Sequence, residues 1–377
     1  MNRAAELDVR LTRKGGTLHA AIASSRTSVP PALVRGKSPE EVASLLPRLF
    51  AVCALAQGSA AAAACEAAMA SETDPARSAR RDFLAAAEAI REHLFRLVLG
   101  AAETLGEAPD PRDLDHLRLV TTALRQASGD IGPSDWRRIS GGISSALASQ
   151  IDAHFHRPEA SGAYDAFLAW LDQAASPFAR LCGRLHERGD DRLGAENDCQ
   201  PGGDLDPAVI GARLLGPDGP HFARYPSVDG HAQETTAFSR RRAESLIGAL
   251  GDGLLARLVA RQLDAIRLAE NLPSLAKAAE PAQAAFRPAP GRRQDGDGAA
   301  AVETARGRLI HAVRLRGGRV EAYRILAPTE WNFHPGGPVA RRLARLAAEA
   351  APQEIDRQAR LLIDIFDPCI PYRLSVQ

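Results

Sequence analysis

The feature that most restricts what this chain can fold into is a long alanine-rich stretch, residues 45–70, that follows a strong helix start. Ser38-Pro39-Glu40-Glu41 supplies a serine cap, a proline at the first helical position and acidic side chains in the first turn. These signals predict one helix over residues 38–70, whose small side chains allow neighbouring elements to pack closely. Alanine is too weakly apolar, and the stretch carries too many polar residues, for it to predict a membrane span.

Two hairpins and several further helices are predicted along the rest of the chain. Residues 6–24 and 307–326 each alternate apolar and polar side chains around a Gly-Gly pair, which supplies the positive φ of a tight turn. Apolar residues at helical spacing predict helices over residues 77–99, 112–127, 140–155, 162–187, 237–271, 338–350 and 352–364. The predicted fold class is therefore mainly α with small β-sheets at its margins (α+β).

Two stretches rich in Gly, Asp and Pro, residues 188–220 and 274–302, predict mobile surface loops. The second stretch could separate two domains. We interpret residues 1–377 as a single domain, because the resemblance described below continues across that stretch. A chain of this length with 45% hydrophobic residues can bury a substantial core.

The composition excludes several classes of function. Lys and Arg number 47 against 46 Asp and Glu, and a net charge of +1 gives no reason to expect binding to nucleic acid. No secretory segment follows Met1. The five cysteines are scattered and odd in number, which argues against a disulfide framework and favours a reducing cytoplasm.

The last residues carry a pattern associated with metal binding. Phe366-Asp367-Pro368-Cys369-Ile370-Pro371-Tyr372 resembles the end of the large subunit of nickel-iron hydrogenases, D-P-C-x-x-C-x-x-H. Cys369 takes the place of the first cysteine, whereas Tyr372 replaces the second and Ser375 replaces the histidine. The sequence ends at Gln377, where a catalytic precursor would carry an extension for proteolytic removal.

A stretch near the N-terminus resembles the same family. Residues 47–57 are similar to its R-x-C-G-x-C-x-x-x-H segment, with Arg48 and Cys53 kept. The first cysteine of that segment is replaced by Phe50 and the histidine by Gln57. One thiol of each cysteine pair therefore remains.

Three further segments follow in family order. Residues 234–240 are similar to M-E-x-G-P-L-A-R, and we interpret Glu234 and Arg240 as a structural ion pair. Residues 303–307, followed by His311, resemble E-x-P-R-G, and residues 323–332 resemble Y-x-x-x-x-P-T-x-W-N. The ordered matches imply a hydrogenase large-subunit-like fold. The lost ligands imply the non-catalytic HupK/HoxV-type maturation proteins.

The resemblance also implies a site for iron. The family's nickel-iron centre uses four thiolates. Two thiolates cannot complete the coordination of nickel, but they can hold an iron that already carries cyanide and carbon monoxide. The implied metal ligands are Cys53 and Cys369, with no nickel expected. The positions that would surround the cyanide ligands and the iron are Arg306, Thr329 and Asp367, with a looser match at Glu92.

The implied function is that of a maturation scaffold or chaperone without catalytic activity. It would receive the iron unit from assembly proteins of the HypC and HypD type and release it to the apo hydrogenase large subunit. The alternatives are a non-catalytic structural subunit of a hydrogenase-like or respiratory complex, and a divergent hydrogenase. The remaining thiols, Cys65, Cys182 and Cys199, are interpreted as structural or incidental, although Cys182 and His186 have a helical spacing that could ligate a metal.

Overall fold

The computed structural model describes residues 5–26, 31–71, 73–157, 163–196, 205–282 and 295–377. The strands are β1 (Leu7–Lys14), β2 (Thr17–Ser24), β3 (Gly296–Thr304), β4 (Gly307–Arg316), β5 (Arg319–Leu326) and β6 (Tyr372–Val376). The helices are α1 (Pro31–Val34), α2 (Pro39–Leu45), α3 (Ala54–Ala68), α4 (Pro75–Leu94), α5 (Gly100–Thr104), α6 (Pro111–Ala127), α7 (Pro133–His154), α8 (Ala163–Gln173), α9 (Pro177–Glu187), α10 (Pro207–Leu215), α11 (Gly219–Arg224), α12 (Ala237–Arg241), α13 (Ser245–Leu250), α14 (Leu254–Ala278), α15 (Pro328–Asn332), α16 (Pro338–Leu343) and α17 (Pro352–Phe366). The predicted fold class, mainly α with small sheets, is confirmed.

The helix predicted over residues 38–70 is broken in the middle. Its capping box is present, since Ser38 accepts the Glu41 N–H and Glu41 accepts the Ser38 N–H. The chain then passes into a 3₁₀ turn at Leu46–Leu49 and becomes extended at Phe50 before α3 begins. Pro47 lacks an N–H, so it cannot continue the α-helical hydrogen bonds. The break places Cys53 directly before α3.

Other predicted helices are right in type but differ at their ends. The predictions for α6 and α17 are confirmed within a few residues, whereas α7 begins at Pro133, before its predicted start. The segment 162–187 divides into α8 and α9, and the segment 237–271 divides into α12, α13 and α14. The helix predicted over 77–99 begins at Pro75 and passes through a π-helical turn at Phe95–Leu99 into α5. The helix predicted over 338–350 ends at Leu343.

Parts of the two predicted loops are regular structure. The first, 188–220, contains α10, which Asp206 caps by accepting the Ala208 N–H ahead of Pro207. The loop prediction failed there because an Asp-Pro pair, which is common in loops, is also a typical helix start. The second, 274–302, contains the end of α14 and most of β3, while residues 283–294 lie outside the described part. Gly298 permits β3 because a Cβ there would lie 2.2 Å from the backbone nitrogen of Ala68.

Two three-stranded sheets flank the helices. Both predicted hairpins are confirmed: β1 pairs with β2, and β4 with β5, across glycines of positive φ. β3 adds to β4, and β6 pairs parallel to β1, so the two ends of the described chain meet in one sheet. The largest core lies among α4, α7, α14 and α17 and reaches β1. A second core joins α3 to the sheet of β4 and β5.

Candidate functional site

Cys53 is fixed at the start of α3 by a carboxylate from another helix. It occupies the N-cap position, and its own side chain caps nothing. Instead, the Glu88 carboxylate on α4 accepts the backbone N–H groups of Leu55 at 3.0 Å and Ala56 at 2.9 Å. Burial raises the pKa of Glu88 to about 7, although both backbone hydrogen bonds oppose the shift. The thiol of Cys53 is therefore held beside a well-anchored helix start.

Cys369 lies just beyond α17, where the chain turns sharply. Asp367 caps that helix in the left-handed conformation, with φ of 50°. The sulfur of Cys369 lies 3.0 Å from the Thr329 hydroxyl and 3.0 Å from Nη1 of Arg26. The Thr329 oxygen also accepts the Cys369 backbone N–H at 3.4 Å. Two side chains from distant parts of the sequence thus hold this one sulfur.

The two predicted ligand thiols lie in one electrostatic neighbourhood. Burial raises the pKa of the Cys53 thiol to about 12, and the charge of Cys369 contributes to that rise. Arg306 opposes the rise. The pKa of Arg26 is raised above its usual range mainly by Glu330, and that of Arg306 mainly by Asp367 and Glu92; both thiols contribute to each shift to a smaller extent. The fold therefore brings together Cys53 and Cys369 with the guanidinium predicted to accompany them.

Arg306 belongs to a buried cluster of charges centred on Asp367. Its Nη2 lies 3.1 Å from the Asp367 carboxylate and donates to Glu92 at 3.1 Å, while its Nε donates to the Asp367 carbonyl oxygen. Arg96 at 2.6 Å and Arg261 at 3.0 Å also contact the Asp367 carboxylate. Burial opposes its charge, but the three guanidinium groups hold the pKa of Asp367 well below its usual range. Nη1 of Arg306 has no hydrogen-bond partner among the described residues.

A groove of about 480 Å³ opens beside Arg26 and Thr329. Arg26, Thr329 and Glu330 form its polar part, and Phe50 lies on its wall. Two of the exposed large apolar side chains in the described chain, Leu33 and Leu49, also line it. Two of the residues that line the groove, Arg26 and Thr329, contact the sulfur of Cys369.

The described residues contain no group of three or more His, Cys, Asp or Glu side chains arranged to hold a metal ion. Within the described residues, Cys53 and Cys369 therefore form at most a two-sulfur site. An iron held there would need its other ligands from outside the described residues.

Comparison with known proteins identifies the family. A family model described as nickel-dependent hydrogenase matches residues 225–372. The hydrogenase expression/formation protein HupK of Bradyrhizobium diazoefficiens is 31% identical over 98% of this chain and 96% of its own length. HupK of Rhizobium leguminosarum bv. viciae is 33% identical over 91% and 88% of the two chains, and HoxV of Cupriavidus necator is 30% identical over 100% and 97%. The chain belongs to the HupK/HoxV family.

Solved hydrogenase structures share the fold of this HupK/HoxV family member. The nickel-iron-selenium hydrogenase of Desulfomicrobium baculatum in a reduced, active form superimposes with a TM-score of 0.64 at 13% identity, covering 94% of each chain. The corresponding hydrogenase of Desulfovibrio vulgaris Hildenborough gives a TM-score of 0.64 at 14% identity, again covering 94% of each chain. The predicted large-subunit-like fold is thereby confirmed.

The replaced ligand positions of this HupK/HoxV chain have other partners. Tyr372 donates its hydroxyl hydrogen to Asp364 at 3.0 Å, and Phe50 lies against the groove. Gln57, at the histidine position, donates to the Cys53 sulfur at 3.6 Å and accepts from His311 Nε2 at 2.9 Å. His311 in turn contacts the Tyr323 hydroxyl, and burial lowers the pKa of His311 to about 3, so it is neutral. Gln57 thus links Cys53 to the β4–β5 sheet.

One interpretation from the sequence is wrong. Glu234 and Arg240 do not pair with each other. Glu234 is buried against Arg257 at 2.6 Å, whereas Arg240 pairs with Asp264 at 2.6 Å and with Glu303 at 2.9 Å. The partners come from elsewhere in the chain: Arg257 and Asp264 lie on α14, and Glu303 lies on β3. The spacing between Glu234 and Arg240 gives no information about them.

The other thiols of this HupK/HoxV chain lie apart from the site. Cys65 is buried in the core between α3 and the β4–β5 sheet. Cys182 is buried in the main core, whereas His186 is largely exposed and bonded to Asp191, so this pair does not point to a common site. Cys199 lies outside the described residues.

Reasoning from the sequence missed several residues of the site: Arg96 and Arg261, which contact Asp367, and also Arg26 and Glu88. Arg26 follows β2 and carries no motif that could have identified it. Glu88 did carry a signal, because it is an acid among the buried alanines of an amphipathic helix, α4. A carboxylate on an apolar helix face requires a partner, which here is the start of α3.

Proposed function

We propose that this protein is a hydrogenase maturation scaffold, which transiently holds an iron carrying cyanide and carbon monoxide and then releases it to the apo large subunit of a hydrogenase. The observation that carries the proposal is the convergence of Cys53 and Cys369 beside the donors Arg306 and Thr329. The names of its relatives, hydrogenase expression/formation proteins, support the maturation role.

The donor set suits such an iron unit better than a nickel-iron centre. Two thiolates complete the coordination of an iron whose other positions are filled by diatomic ligands, whereas nickel in this family needs four thiolates. Phe50 and Tyr372 stand where the other two thiolates would be. We therefore expect up to one iron and no stoichiometric nickel per chain.

The charged side chains around the site also suit an iron unit with net negative charge. Thiolates and cyanide are all anionic, so an iron(II) ion held by two thiolates and carrying cyanide forms a unit with net negative charge. Around Asp367 and Glu92, the guanidinium groups outnumber the carboxylates that they contact; these arginines are Arg91, Arg96, Arg261 and Arg306. Nη1 of Arg306 is free to donate to a cyanide nitrogen, a charge-assisted hydrogen bond that buried anions require.

The groove provides a route for loading and release. It is lined by Arg26 and Thr329, which both contact the Cys369 sulfur, and the exposed Leu33 and Leu49 on its wall suit transient contact with another protein. We propose that its partners are assembly proteins of the HypC and HypD type, which deliver the iron, and the apo large subunit, which accepts it. Free thiols at this site require a reducing compartment, for which we propose the cytoplasm. None of the described helices has the length and apolar character needed to cross a bilayer.

Infrared spectroscopy of anaerobically purified protein, produced together with its assembly proteins, tests the proposal. Carbonyl and cyanide stretching bands with about one iron per chain are the expected result. A spectrum without these bands contradicts the scaffold and favours a structural subunit. One nickel per chain with hydrogen uptake would instead indicate a divergent hydrogenase.

A further inference from the structure

A residue outside every family motif makes one of the closest contacts to the candidate metal ligands. Nη1 of Arg26 lies 3.0 Å from the sulfur of Cys369, although the two residues are 343 positions apart in the sequence. The same nitrogen lies 3.3 Å from the Glu330 carboxylate, and both side chains are only 15% exposed. A buried guanidinium is costly unless its surroundings compensate it, so this placement needs an explanation.

Glu330 fixes where the guanidinium points. It follows Thr329 in α15, and Thr329 contacts the same sulfur at 3.0 Å. One short helix therefore positions two groups around Cys369: the hydroxyl directly, and the guanidinium through the carboxylate. The ion pair between Arg26 and Glu330 by itself would not require contact with a sulfur.

Arg26 also lies apart from the Asp367 cluster. It lines the groove, whereas Arg306 reaches the site from the turn before β4 and is tied to Asp367 and Glu92. A change at Arg26 therefore alters the groove side of Cys369 and removes no contact of that cluster.

We infer that Arg26 is a positioning residue for the proposed iron ligand Cys369, and that its guanidinium donates a hydrogen bond to the thiolate sulfur while iron is bound. This inference rests on the proposed function. A donor on a metal-bound thiolate draws electron density away from the metal, which is how hydrogen bonds to ligating sulfurs tune such centres. An iron that receives less density from sulfur gives less to carbon monoxide, so the carbonyl stretch lies at higher wavenumber.

The test compares infrared spectra of the iron-loaded parent with those of Arg26→Ala, Arg26→Lys and a matched control, Arg224→Ala. Arg224 lines the same groove but is exposed and donates to the Ser24 carbonyl oxygen. We expect Arg26→Ala to shift the carbonyl band to lower wavenumber. Arg26→Lys should give a smaller shift in the same direction, because an ammonium keeps the charge but not the planar fork. Arg224→Ala should match the parent.

The outcomes separate the two proposals. Carbonyl bands at the parent position in both Arg26 variants would overturn the role of Arg26 and leave the scaffold standing. A lower melting temperature with unchanged bands has the same meaning, since it shows a structural ion pair only. If Arg26→Ala does not fold, the Arg26→Lys spectrum decides alone. Absence of bands in the parent overturns the scaffold, and this inference with it.

Discussion

At the scale of the residue, the site is built from side chains that each serve two neighbours. Gln57 donates to the Cys53 sulfur and accepts from His311, and Thr329 contacts both the sulfur and the backbone N–H of Cys369. Because each group is held from two sides, its orientation does not depend on a bound metal. We expect the empty and the loaded site to have similar geometry.

The two thiols should be essential for iron and dispensable for folding. Cys53→Ala or Cys369→Ala should abolish bound iron and maturation of a hydrogenase partner, because one thiolate cannot hold the unit. Elemental analysis together with a melting curve measures both properties. Cys65→Ala is the control: it should keep the iron and lose only about 1 kcal/mol of stability, since it removes one buried sulfur. Normal iron content in all three variants would exclude the two-thiol site.

Arg306 should matter for the hold on the iron. Removing its guanidinium leaves a cyanide short of a donor and should cost about 1–3 kcal/mol, which is roughly a five- to hundredfold weaker hold. Arg306→Ala should therefore lose iron faster to a chelator and shift the cyanide bands, and Arg306→Lys should restore this only in part. Arg308→Ala is the matched control, because Arg308 lies two residues further along, in β4, and pairs with Glu303 instead. Equal iron loss from parent and Arg306→Ala would remove Arg306 from the site.

The sequence could supply Cys53, Cys369, Arg306 and Thr329 as candidates because each lies in a motif with fixed spacing. The structure places Thr329 against the Cys369 sulfur and Arg306 against the Asp367 carboxylate. Arg26 could not be predicted, because its partners Cys369 and Glu330 lie hundreds of residues away and no local pattern encodes that contact.

At the scale of the element, the position of α3 controls the position of Cys53. α3 packs against β3, where glycine allows the two backbones to approach closely: a Cβ at Gly298 would lie 2.4 Å from the carbonyl oxygen of Ala64. The alanine content of α3 predicted such close packing. The sequence could not show that the partner would be β3, since the short glycine- and alanine-rich strand resembles a loop.

Gly298→Ala should therefore disturb both stability and the site. The added methyl group meets backbone atoms that cannot rotate away, so we expect a loss of about 1–3 kcal/mol in the free energy of unfolding. Urea unfolding measures that loss, and iron content should fall because α3 carries Cys53 at its start. Gly141→Ala, in the exposed part of α7 with open space around it, is the control and should gain about 0.5–1 kcal/mol. Equal stability of the parent and Gly298→Ala would contradict this account of the packing.

Glu88 should make the stability of the α3–α4 contact depend on pH. Burial raises its pKa to about 7 from an ordinary 4.5, so the folded chain binds this proton more readily than the unfolded chain does. The contribution of Glu88 to stability is therefore fully present below pH 4.5 and declines as the pH rises to about 7. The amide of Glu88→Gln does not titrate, so the parent should lose stability relative to this variant as the pH rises from 4.5 to about 7. Parallel stability curves of the two proteins between pH 4.5 and 8 would contradict the raised pKa.

At the scale of the whole molecule, the described chain closes on itself. β1, near the start, pairs in parallel with β6, near the end, and the Leu7 N–H donates to the Pro371 carbonyl oxygen at 2.9 Å. This pairing anchors the segment that carries Cys369. β6 was not predicted, because five residues after a proline give little pattern and the pairing joins distant parts of the sequence.

Removing β6 should therefore empty the site without removing either thiol. A chain truncated after Pro371 keeps Cys53 and Cys369 but exposes the edge of β1, so we expect lower iron content and a lower melting temperature. Arg373→Ala is the control, because that side chain is largely exposed and makes only a 3.4 Å contact with Glu6. Full iron content in the truncated chain would show that β6 does not position Cys369.

The meeting of the two ends has a consequence in time. Arg26 is synthesised early, but Cys369 is added 343 residues later, a delay on the order of 20–70 s at typical rates of protein synthesis. During that interval Cys53 is present without Cys369, so under the proposed function a growing chain could not retain the iron unit. An assembly protein that bound the nascent chain at this stage could not transfer iron to it, because the second thiol would be absent. If iron is delivered as we propose, its delivery must wait until synthesis has passed Cys369 and β6 has joined β1.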